Sequence, residues 1–129
     1  MSIQRSVLDA LRERLDALGL CPPLTVGPTP PENGFALAIA SGRSTARTLG
    51  GGETILMEVT ITGKNQNHGA ALDTLGNLQE AITALETLPS GDGWQMVAVR
   101  VSGAPAYVDR EGAQWWYSAG LAVEYVTGA

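Results

Sequence analysis

Apolar residues recur along this chain with two different periods, and the switches between them mark out its elements. Near the start, Ile3, Val7, Leu8, Leu11, Leu15 and Leu18 fall on one stripe at helical spacing, while Arg5, Asp9, Arg12, Glu13 and Asp16 take the other face. Ser2 fits as an N-cap and Gly19 as a C-cap glycine, and Pro22 with Pro23 forbids continuation. The period then drops to two. Phe35, Leu37 and Ile39 alternate with alanines, and Ile55, Met57, Val59 and Ile61 alternate with Leu56, Glu58, Thr60 and Thr62. Both stretches read as strands of an antiparallel hairpin. Residues 41–53, SGRSTARTLGGGE, have no apolar period and are expected to form a long, mobile loop at its tip.

GKNQNHG breaks the second strand, and Asn67 is placed to cap a second helix. Its stripe is Leu72, Leu75, Leu78, Ile82 and Leu85, and Leu88-Pro89 stops it. Residues 90–93 read as a turn and residues 94–101 as a strand. Residues 103–105 form a kink, residues 109–112 a tight turn, and residues 114–126 the longest strand. On that strand Trp115, Tyr117, Ala119, Leu121, Val123 and Tyr125 share a face. Residues 22–34 hold five prolines and the dipeptide Asn33-Gly34, which suits an ordered, extended connection with a short strand at 24–26.

The order of helix, two or three strands, helix and two strands predicts an α+β fold. Its sheet is mixed or antiparallel with four to five strands, two helices pack on one face, and a long hairpin loop projects. Two helices of roughly 16–18 residues at about 1.5 Å rise cover only one face. The other face then carries a set such as Trp116, Ala122 and Val126 beside Leu56, or else their aromatic alternates. An apolar set left wet in that way is a mark of assembly.

Composition narrows the class. At 129 residues, 44% hydrophobic and 16% charged, the chain suits a single globular domain over 1–129. No run of roughly 18 apolar residues exists, and the opening segment carries charges through its stripe, so neither a membrane span nor a signal peptide is expected. The expectation is a soluble, intracellular protein. Residues 1–70 hold six basic and six acidic side chains, and residues 71–129 hold two and seven. Tight binding of nucleic acid needs clustered Lys and Arg, which this chain lacks.

No plausible position carries a complete catalytic or metal-binding pattern. Glycines 50–52 fit neither G-x-x-x-x-G-K-[ST] nor G-x-G-x-x-G, and a flexible tip accounts for them. His68 is the sole histidine, in a polar stretch just before a helix and with no nucleophile motif to serve. The single Cys21 excludes an internal disulfide and reads as a packed thiol. Asp109 and Glu111 could be imagined as paired carboxylates, but a turn explains their composition. Neither catalytic residues nor a cofactor or metal site is expected. Trp115 and Trp116 are adjacent on a strand and point to opposite faces, so one of them needs a cover other than the core.

The layout resembles the tail-terminator proteins of long-tailed phages, also described as minor capsid or head–tail joining proteins. The residues behind the likeness are the opening helix, the proline run at 28–34 leading into Phe35-Ala-Leu-Ala, and the hairpin ending in residues 55–61. They continue with the helix bearing Leu72, Leu75, Leu78 and Ile82, the turns at 103–105 and 109–112, and the aromatic strand at 115–126. The resemblance implies a ring, usually a hexamer, that caps the finished tail tube and meets the head connector in the virion. DNA would pass through the hole without tight binding. It also implies that the hairpin loop with Arg43 and Arg47 is an arm touching a neighbouring subunit. Apart from the resemblance, its place on the face opposite Trp115 makes Trp116 a further candidate interface residue. A ligand-binding α+β module and an uncharacterised enzyme remain the alternatives. An apolar pocket with convergent polar groups would mark the first, and a perturbed carboxylate pair in a cleft the second.

Overall fold

The two segments with the clearest alternation become the centre of the sheet. The computed structural model describes residues 2–47 and 51–128. Its elements are α1 (Ile3–Ala17), β1 (Thr25–Val26), β2 (Phe35–Arg47), β3 (Glu53–Asn65), α2 (His68–Thr83), β4 (Ser90–Gly91), β5 (Trp94–Glu111) and β6 (Gln114–Thr127). The strands form one sheet in the order β1-β2-β3-β6-β5-β4, antiparallel except for β1, which runs parallel to β2. The fold is α+β with a mixed sheet, as the patterning predicts.

Alternation fixes which face is which. Met57, Val59 and Ile61 of β3 lie opposite Val123, Leu121 and Ala119 of β6, and all six are buried. They form one core with Phe35, Leu37, Trp94, Met96, Tyr117 and Tyr125. Val7, Leu8, Leu11 and Leu15 of α1 and Ala71, Leu75, Leu78 and Ile82 of α2 close the same core, so both helices cover the same face. Each fully buried Leu or Ile here contributes about 1.5–3 kcal/mol relative to exposure. Phe35 lies flat on its cross-strand partner Gly63, where a side chain would run into the ring.

Both N-caps hold as expected, while α2 ends at Thr83 with Ala84 as its C-cap, ahead of Leu85 and the expected stop at Leu88-Pro89. Ser2 accepts a hydrogen bond from Arg5 N–H (3.2 Å) and Asn67 accepts one from Gly69 N–H (3.0 Å). The proline-rich connection is tied at both ends. Asp16 accepts from Leu24 N–H (2.8 Å), Asn33 N–H donates to Gln114 Oε1 (2.9 Å), and Gly34 O accepts from Lys64 N–H (3.0 Å).

Three expectations are corrected. The sheet has six strands where four or five were expected, because residues 90–91 pair with β5 instead of forming only a turn; the short strand expected at 24–26 is present as β1, paired with β2. Two-residue strands carry no period to read; backbone contacts such as Gly27 N–H to Leu37 O (2.8 Å) place them. The mobile loop expected over 41–53 is mostly strand. β2 continues to Arg47 and β3 begins at Glu53, with Arg47 and Glu53 paired in register and their side chains 3.5 Å apart. Residues 41–47 are exposed, so the ladder holds them without any apolar period to announce it. Positions 48–50 of the expected loop lie outside the described residues. Finally, the kink at 103–105 and the start of the turn at 109 fall inside β5, which absorbs them as register shifts.

One of those shifts is repaired from the helix. Around Gly103 the ladder to β6 breaks register, and buried Gln79 of α2 donates Nε2 to Gly103 O (2.7 Å) and Gly120 O (2.9 Å). Gln79→Ala leaves both carbonyls without that donor. We expect it to lower unfolding free energy by about 1–3 kcal/mol, measured by urea denaturation; an unchanged midpoint would show that the shift needs no repair.

Candidate functional site

Alternate residues of the same strands build the face that the helices leave uncovered. On β3 these are Leu56, Glu58, Thr60, Thr62 and Lys64; on β6 they are Trp116, Ser118, Gly120, Ala122, Glu124 and Val126. Ala122 is buried yet stands outside the core cluster, shielded by its cross-strand neighbours. The open face therefore carries Trp116, Ala122 and Val126 beside Leu56, the first of the two sets that patterning allowed.

One end of this face is closed and polar. Lys64 is only 6% exposed, and its Nζ lies 2.7 Å from Glu111 Oε2 and 5.0 Å from the centre of the Trp116 ring. A buried ammonium needs such compensation, and the carboxylate and indole face supply it. Thr62 Oγ1 and Trp116 Nε1, on the same face, are buried without a hydrogen-bond partner. Behind them, on the helix side, the guanidinium of Arg110 lies 4.7 Å from the Trp115 ring centre, and Tyr107 packs against Trp115 and Tyr117 at 6.1 and 5.9 Å.

The sequence candidates divide between the two ends of the sheet. Arg43 and Arg47 are exposed on the outer half of β2, where Arg43 pairs with Leu56 and Arg47 with Glu53. Trp116 is half-buried and pairs with Lys64. Leu56 and Lys64 are eight residues apart on β3, which separates Arg43 from Trp116 by roughly 27 Å at about 3.4 Å per residue. The structure does not bring the three together.

Other candidates are accounted for locally. Glu111 is engaged by Lys64, and Asp109 Oδ1 accepts from Arg110 N–H (2.7 Å). Cys21 is half-buried, and its thiol is pushed above the ordinary value, first by burial and then by Asp16, so it is not an activated nucleophile. His68 opens α2, and its side chain lies outside the described positions. Among the described residues no three His, Cys, Asp or Glu side chains gather as a metal site, and no helix is long and apolar enough to cross a membrane. A shallow groove of about 400 Å³ lies between the start of α1 and the outer halves of β2 and β3, lined by Ile3, Gln4, Arg43, Ile55 and Tyr125 among others.

Two residues escaped the sequence reading. Gln79 stands in the apolar stripe, four after Leu75 and three before Ile82, so its place was visible and its partners were not. Lys64 continues the alternation of Thr60 and Thr62, a signal hidden by the polar run that follows it.

No family model matches the chain, and no curated protein matches it. Among solved structures it is similar to a chain from the virion of a native gene transfer agent (GTA) particle. The TM-score is 0.55 at 16% identity, covering 98% of this chain and 96% of that one. At that identity the likeness shows a common fold, here over nearly the whole length of both chains.

Two substitutions probe the closed end. Glu111→Gln removes the charge facing a buried ammonium, and we expect a loss of about 1–3 kcal/mol in chemical denaturation. Thr62→Val replaces an unpartnered hydroxyl with an apolar group of the same shape. It should leave the melting temperature unchanged or slightly higher, by up to about 1 kcal/mol in stability; a clear drop would mean the hydroxyl is bonded.

Proposed function

We propose that this chain is a structural component of a phage-like virion, and that within it the chain acts as a tail terminator. It would form a ring of six copies that caps the tail tube and joins it to the head connector. The observation that carries the reading is the end-to-end likeness of fold to a chain of the GTA virion. The sequence resemblance to tail terminators, which rests on residues and not on that structure, points the same way. The uncovered sheet face adds support, since two helices shield one side only and leave the half-buried Leu56, Trp116 and Val126 on a face that an assembly can turn toward a central hole or a stacked neighbour.

Charge suits a hole through which DNA slides. The chain carries a net −5, and the open face has Glu58 and Glu124 near its centre. Such a surface repels phosphates rather than holding them. In this reading Arg43 and Arg47 contact the neighbouring subunit. Trp116, at the far end of the sheet, contacts a protein stacked above or below the ring.

Electron microscopy of assembled particles carrying a labelled copy tests the reading: several copies should surround the tail–head junction, and single copies or none would defeat it. Trp116→Glu should keep the melting temperature within a few degrees, because the new carboxylate sits across from Lys64, yet abolish joining of heads to tails. An unfolded variant would place Trp116 among the core residues and leave its contact role without support.

A further inference from the structure

The geometry points to strand addition as the seam between copies: residues 98–100 of β5 in one copy pair antiparallel with residues 41–43 of β2 in the next. This rests on the ring reading above and specifies how the ring is sealed.

Both strands have free outer edges. β1 covers β2 only at Ala36 and Leu37, and β4 covers β5 only at Trp94 and Gln95. Beyond those points Met96 N–H still donates to Pro89 O (3.1 Å), and no backbone hydrogen bond reaches the outer edge at 41–44 or 98–101 among the described residues. Most of each free edge is broken by register shifts, which discourage pairing. β2 shifts between Ile39 and Ser41 and between Ser44 and Ala46. β5 shifts between Met96 and Ala98, between Val101 and Gly103, between Gly103 and Ala106, and between Tyr107 and Asp109. The longest unbroken stretches left are 41–44 and 98–101.

These two stretches lie at the same height. Across the sheet, Ser41 leads through Glu58 and Ala122 to Arg100, and Arg43 leads through Leu56 and Glu124 to Ala98. Pairing them between copies needs rotation with no gross rise along the strands, which is the condition for a closed ring and not a filament. Direction agrees as well. β2, β3, β6 and β5 alternate, so the two edges run oppositely, and a copy rotated alongside presents its β2 antiparallel to β5.

Charges then match across the seam. With Arg100 opposite Ser41 of the next copy, Arg100 faces that copy's Glu58 across one small residue. Arg43 of the next copy likewise faces Glu124 across Ala98. None of these four side chains forms an ion pair within the chain, among the described residues. With the helix-covered face turned outward, the open face lines the hole. There the glutamates offset arginines that would otherwise hold phosphate.

Cross-linking decides it. Ser41 and Arg100 of one chain are three strand spacings apart, roughly 14 Å at about 4.8 Å each, beyond the reach of a disulfide. A 41–100 disulfide must therefore join two copies. In a Cys21→Ser background, oxidised S41C/R100C should give a series of linked species ending at a closed ring, at roughly 1 mM protein or in particles. S41C/V108C should link at least about tenfold less, being out of register. Arg43→Glu should weaken association, and adding Glu124→Arg should restore it. Multiple copies at the junction without the 41–100 link, or without rescue by the charge swap, would overturn the seam and leave the ring standing. A single copy in particles would remove the ring itself, and with it the seam.

Discussion

The ladder between β3 and β6 is the constraint on which the rest of this structure depends. Residues 53–65 and 115–127 pair over thirteen consecutive positions without a single register shift. A slip by one residue would carry Leu121, Val123 and Tyr125 to the open side and present Glu124 to the helices. The apolar set on one side is therefore what holds the register. That register in turn places Lys64 beside Trp116 and Glu58 beside Ala122. Core and candidate surface are two sides of one alternation, and neither can be altered freely without the other.

Away from that central pair, regularity is lost toward both edges. β5 shifts register four times and β2 twice, and Val97 and Val108, which stand at two of the shifts, are left exposed. A shift costs ladder bonds, and at Gly103 the fold replaces them with a side chain from α2. Bulged edges are a common defence against indiscriminate strand pairing. Here the interruptions leave short regular windows, and the window on one edge stands level with that on the other. In the proposed seam, a defence of this form would restrict pairing to one register instead of preventing it.

How much of this was legible depends on whether a residue's neighbour is close in sequence. The two helices, their caps and the faces of β3 and β6 follow from local periods, and they could be read from Leu11, Leu75, Val59 or Leu121 alone. The arm at 41–47 could not. Its residues are exposed, and an exposed ladder is held by backbone bonds that any sequence without proline can make. The short strand at 25–26 was legible between its flanking prolines, but β4 at 90–91 is set by where the chain returns, and periodicity says nothing of that. Of the candidate surface, the tryptophan pair and its opposed faces were legible. The burial of Lys64 was not, because it depends on Glu111, forty-seven residues away.

That buried lysine bears on how the open face can present so few cations. Of the eight Lys and Arg side chains, Lys64 is compensated by Glu111 and an indole face, Arg110 lies over Trp115, and Arg12 and Arg47 are paired with Asp16 and Glu53. On the open face this leaves Arg43 and Arg100, one near each edge, with Glu58 and Glu124 between them. In an isolated copy this arrangement puts acid in the middle and base at the margins. Margins meet when copies are set side by side, and each arginine then has a carboxylate of the adjoining copy within one small residue. Counterion release is the main driving force for gripping DNA, and it requires cations free to replace those counterions. A face whose arginines are engaged across its seams would offer few such cations, so in the proposed ring the contacts that close it would also be what lets DNA pass through it.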